Sequence, residues 1–78
     1  MNDQTEISIL CENVKRLRKR ENLSKKEMAR LMGIGVRSIT MLENGVLPIR
    51  MKANALWYLK WRFGITIEEL LSKIIEIE

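Results

Sequence analysis

Residues 23–45, LSKKEMARLMGIGVRSITMLENG, decide the fold. Leu23, Met28, Ala29, Leu31 and Met32 are apolar at helical spacing, and Ile34, Ile39 and Leu42 continue the pattern after a break at Gly33. Ser24 precedes the first run and Glu27 follows it by three residues, the spacing of a capping box. Gly33 supplies the left-handed residue that ends a helix. Ala29 is small where a crossing helix must approach closely. The spacing therefore predicts helices over about Lys25–Met32 and Val36–Glu43, with Asn44-Gly45 ending the second.

Working outward, an apolar stripe of Leu10, Val14 and Leu17, with Cys11 beside it, predicts a first helix over about Ser8–Glu21. Asn22 tolerates positive φ and can stop it. Downstream, Pro48 turns Leu47 away from helix, so VLP reads as a loop. Arg50–Arg62 then reads as a fourth helix with Met51, Ala55, Leu56, Leu59 and Phe63 inward, stopped at Gly64. Thr66 caps a fifth, with Glu69 at the capping-box position and Ile67, Leu70, Leu71, Ile74 and Ile75 on its apolar face. The expected fold is all-α, a compact five-helix arrangement. No repeat, low-complexity segment or linker interrupts it, so residues 1–78 read as a single domain.

Composition fits a small soluble fold. The 78 residues are 46% hydrophobic, with one Pro and four Gly, which argues against disorder. No apolar run approaches the roughly 18 residues of a membrane span. The opening MNDQTEISIL is acidic and polar before Ile7, unlike a signal peptide. The single Cys11 cannot form an internal disulfide and suits a cytoplasmic setting, where it serves as a small buried hydrophobe.

Charge is uneven. The net charge is +4, but thirteen of the fourteen Lys and Arg lie between Lys15 and Arg62, among only Glu21, Glu27 and Glu43. The flanks carry seven acids and Lys73. A basic centre suits a polyanion. The plainer alternative makes VKRLRKR the solvated side of a helix. Beside two helices hinged by a glycine turn, the basic segment favours phosphate contacts, because that pairing is the sequence form of a DNA-binding helix-turn-helix.

Leu23-Ser24, Glu27, Ala29, Gly33, Ile39 and Leu42-Glu43-Asn44-Gly45 together resemble the lambda-repressor-like, XRE/Cro-type helix-turn-helix regulators. Val14, Leu17 and Arg18 match the first helix of that family, and Gly64-Ile65-Thr66-Ile67-Glu68-Glu69-Leu70-Leu71 its fifth. The resemblance covers about residues 10–71, and its specificity lies in the combined spacing. Two features depart from the family pattern. The stretch between Pro48 and Gly64 is a few residues longer and carries WYLKWRF, and the recognition helix is unusually apolar.

The resemblance implies a sequence-specific regulator of transcription, a repressor, that inserts its third helix into the major groove of double-stranded DNA. Base-reading positions fall on Gly35, Val36, Arg37, Ser38, Thr40 and Met41. Arg37 can pair with guanine O6 and N7, Ser38 and Thr40 offer hydroxyls, and Val36 and Met41 suit thymine methyls. Gly35 has no side chain to read with. Phosphate contacts fall on Lys25, Asn44 and Arg50. For Arg37 the plainer alternative is a contact with phosphate alone, and for Asn44 a cap. The resemblance also pairs Arg18 with Glu43 across the first and third helices, a structural role that fixes the angle between them.

Trp57, Tyr58 and Trp61 cannot all share one buried face with Leu56, Leu59 and Phe63, so at least one is exposed. With the Ile-rich SKIIEIE, they offer a surface for a homodimer through Trp57, Trp61 and the C-terminal helix. The plainer alternative is one half-exposed Trp at the edge of the core.

An enzyme is not expected. There is no His, Cys11 has no base beside it, Glu68 and Glu69 point apart on a helix, and Gly33-Ile34-Gly35 is not a dinucleotide loop. No metal, cofactor or small-molecule ligand is implied. The competing reading is a protein-interaction module on the same scaffold, an antitoxin or a regulator's partner, which the apolar Val36 and Met41 favour.

Overall fold

The computed structural model describes residues 3–48 and 51–75, with the side chains of residues 3–5 left aside. Among the described residues there are five helices and no strand: α1 Asp3–Arg20, α2 Lys25–Met32, α3 Val36–Glu43, α4 Asn54–Phe63 and α5 Ile67–Ser72. α1 packs on α5 and α3, α2 packs on α3 and α4, and α4 touches α5. Leu10, Val14 and Leu17 of α1 meet Met28, Met32, Ile39, Leu42, Leu59 and Leu70 in one core. Each such side chain removed from water is worth about 1.5–3 kcal/mol. Cys11 lies in that core, and burial pushes its thiol pKa up, away from the thiolate that carries cysteine reactivity.

α1, α2 and α3 stop in the same way. At the end of α2, the Ile34 N–H donates to Ala29 O at 2.9 Å and the Gly33 N–H to Arg30 O at 3.2 Å, with Gly33 at φ 72°. This is the Schellman pair of bonds, which satisfies carbonyls left over at a helix end. After α1 the pair runs from Leu23 to Arg18 O and from Asn22 to Lys19 O, with Asn22 at φ 57°. After α3 it runs from Val46 to Met41 O and from Gly45 to Leu42 O. α2 and α5 also start alike. Ser24 with Glu27, and Thr66 with Glu69, form complete capping boxes.

Three boundaries depart from the expectation. α1 begins at Asp3 instead of Ser8. Its first turn is polar and so lacks the apolar spacing that marks a helix in sequence, while early acids suit the positive end of the dipole. α4 begins at Asn54, not Arg50. The Met51 N–H is taken by Pro48 O at 3.1 Å, and Ala55 and Leu56 bond three residues back, so tight turns precede the helix proper.

α5 stops at Ser72, and Lys73 is extended, so Ile74 and Ile75 lie beyond the helix they were expected to complete. The cause is Asn13. Its amide, wholly buried on α1, donates to Leu70 O and Lys73 O, both at 2.8 Å, and its oxygen accepts the Ile75 N–H at 2.8 Å. Arg16 adds a bond to Ile75 O at 3.2 Å. β-Branched Ile74 and Ile75 favour extended backbone in any case.

Candidate nucleic-acid interface

The second helix of the α2–turn–α3 unit presents a mixed ridge. With about 100° per residue, Arg37 and Met41 lie opposite the buried Ile39 and Leu42, flanked by Thr40 on one side and Ser38 on the other. Arg37 is exposed, and no ion pair engages it among the described residues. Ser38, Thr40 and Met41 are part-exposed, and Val36 is 44% exposed at the start of the helix. Gly35 is the N-cap and presents only backbone.

Lys25 is exposed as the first residue of α2. Asn44 is exposed directly after α3. The left-handed position there is held by Gly45, at φ 84°, and Asn44 bonds back through its N–H to Thr40 O and Met41 O. Its side chain is thus not consumed by the cap. Arg50 lies outside the described residues.

Arg18 and Glu43 hold this ridge to the rest of the fold. Arg18 Nη2 donates to Glu43 Oε1 at 3.0 Å and Nε to Oε2, while Nη1 donates to Leu23 O at 3.0 Å. The two side chains are 16% and 9% exposed. The Glu43 hydrogen bond raises the Arg18 pKa further, against the opposing effect of burial. The pair also neutralises a carboxylate at the C-terminal end of α3, where the helix dipole disfavours one.

On α4, Ala55 and Leu59 are buried. Trp57 and Trp61, one turn apart, face away from them at 48% and 85% exposure. Lys60 Nζ stands 4.8 Å from the centre of the Trp57 ring. Tyr58 belongs elsewhere. Its ring lies over the turn, with Cε2 3.3 Å from where a Gly33 Cβ would stand. Sequence reading grouped Tyr58 with the tryptophans, and it missed Asn13, because neither role exists until α4 and α1 are placed. Among the described residues no group of three His, Cys, Asp or Glu could hold a metal ion.

An all-α fold with a glycine-hinged helix pair and an outward Arg-bearing ridge defines a helix-turn-helix protein. The helix-turn-helix family model matches residues 14–52, half of the chain. The chain belongs to the XRE/lambda-repressor-like helix-turn-helix family of DNA-binding regulators. No curated protein and no solved structure matches it. Among the described residues no helix is long and apolar enough to cross a membrane.

Proposed function

We propose that this protein is a cytoplasmic, non-catalytic, sequence-specific repressor that lays α3 in the major groove of double-stranded DNA. The observation that carries this reading is the ridge of Arg37 and Met41 with Ser38 and Thr40 at its sides, on a helix anchored by Glu43. Arg37 reads a guanine, the hydroxyls read neighbouring base edges, and Val36 and Met41 meet thymine methyls. Lys25, Asn44 and Arg50 take phosphates and set the register. Repression follows because an occupied duplex is denied to other proteins.

One short ridge with few polar readers discriminates weakly, so the active species is a homodimer on a near-palindromic site with half-sites about 34 Å apart. Its interface uses the Trp57–Trp61 face and the C-terminal segment, where Ile74 is 41% exposed. Sedimentation mass across concentrations, with and without duplex, tests this; one protein per duplex on every selected site refutes it.

Val36 and the outward Met41 favour a second reading, a protein-interaction module on the same scaffold. Selection from random duplexes separates the two. Arg37→Ala should cost about 1–3 kcal/mol at the preferred site and relax one base pair. Lys25→Ala should weaken every sequence alike and reduce the salt slope. Equal loss on all sequences for Arg37→Ala removes its base-reading role, and no duplex binding at low salt favours the protein partner.

A further inference from the structure

A groove of about 390 Å³ runs between the helix-turn-helix turn and the start of α4. Gly33, Gly35 and Ser38 form one wall, and Lys52, Asn54 and Tyr58 stand among the residues opposite. Gly35 adds no side chain to it, and a Cβ there would meet nothing within 4 Å, whereas a Cβ on Gly33 would press on the Tyr58 ring. Its lining contains a lysine and three neutral donors but no carboxylate. Tyr58 Cε2 and Cδ2 are the ring atoms nearest a Cβ on Gly33, at 3.3 and 3.8 Å, and the residue remains 47% exposed. Cε2 adjoins the carbon bearing the hydroxyl, so this contact brings the phenol end to the groove. No hydrogen bond to that hydroxyl is formed among the described residues, and Lys52 has no ion pair there.

We propose that this groove seats a DNA backbone phosphate, held by Lys52 and by the Tyr58 hydroxyl, with Asn54 beside them. The proposal rests on the reading of α3 as the major-groove helix. Ser38 belongs both to the ridge of α3 and to the groove wall. When Ser38 meets base edges, the groove beside it therefore faces the sugar-phosphate strand that borders them. Lysine, asparagine and tyrosine are common phosphate partners, and the phosphodiester brings the negative charge that the lining lacks. Tyr58 thereby gains a role distinct from Trp57 and Trp61. It couples the turn to α4 through its ring, and α4 to the duplex through its hydroxyl.

The test uses the whole chain on a duplex selected by the unaltered protein and on a random duplex. Tyr58→Phe keeps the ring against Gly33, so the thermal midpoint should not change, while affinity should fall about tenfold on both duplexes, the fold-change of one charge-assisted hydrogen bond. Lys52→Gln, at an exposed position, should lower the slope of log affinity against log salt by about 0.9, the share of one phosphate. A scan of neutral methylphosphonates along the duplex should find one position where the unaltered protein loses affinity and the double variant loses no more. Unaltered affinity and slope in both variants, on a duplex the parent binds, overturns the groove site alone. A parent that binds no duplex overturns the major-groove reading and this site together.

Discussion

The α2–turn–α3 unit and the stretch from Pro48 to Ile75 are held by different means. In the first, both helices end in backbone motifs built around a left-handed glycine, and the entry is fixed by Ser24 and Glu27, all within a few residues of one another. The second has local devices too, the left-handed Gly64 and the Thr66–Glu69 capping box, but α5 ends where a buried asparagine nearly sixty residues earlier collects its last polar groups. Local encoding defines the unit that presents the α3 ridge. Long-range encoding leaves a region whose shape depends on the finished core. The Arg18–Glu43 pair is the exception within the first unit, since it ties locally defined helices to α1.

The largest effect should come from breaking that tie. Glu43→Ala leaves Arg18 mostly buried with only Leu23 O as partner, and should destabilise by about 3 kcal/mol. Denaturant unfolding measures it, and replacing both partners with apolar residues should recover much of the loss. Additive losses in the double-mutant cycle would mean the two are not coupled.

Next, Asn13→Leu removes three hydrogen bonds while preserving bulk, and should cost about 2–3 kcal/mol. The Ile75 amide should lose its hydrogen-exchange protection, whereas α2 and α3 amides should retain theirs relative to global stability. Uniform loss would erase the contrast between the regions.

Two glycines sharpen the comparison. Gly45→Ala meets nothing within 4 Å and should carry only the left-handed penalty of roughly 1–2 kcal/mol. Gly33→Ala has the same φ problem and in addition presses on Tyr58 at 3.3 Å, so it should cost more. In a Tyr58→Ala background the two costs should converge. If they do not, the ring does not brace the turn.

The smallest effect concerns the caps. Ser24→Ala should cost about 1 kcal/mol by thermal unfolding. Hydrogen bonds from the Ser24 and Thr66 N–H groups hold the Glu27 and Glu69 carboxyls below the usual range. Groups with folded pKa values so lowered contribute stability above their unfolded pKa, about 4.3, and lose it as pH falls through the folded value. A Glu27→Gln, Glu69→Gln variant should therefore lose less of its thermal midpoint than the parent between about pH 5 and 3. Equal losses would show that the caps do not titrate with folding.

The sequence by itself determined the helix-turn-helix unit, with α2 and α3 bounded at Lys25–Met32 and Val36–Glu43 as the spacing predicts, together with the helix stops at Asn22, Gly33, Asn44-Gly45 and Gly64. Those features rest on bonds between residues at most five apart, so a local reading contains all the partners. It also indicated that an aromatic of α4 must face outward, because one helical face cannot hold them all. Only the tertiary structure decided that α5 ends at Ser72, that Tyr58 parts company with Trp57 and Trp61, and that a groove free of carboxylates opens beside Ser38. Each of these depends on groups brought together across the chain: Asn13 with Leu70, Gly33 with Tyr58, Ser38 with Lys52. No spacing rule links such pairs, since their proximity is a product of the packed core and not of the intervening residues.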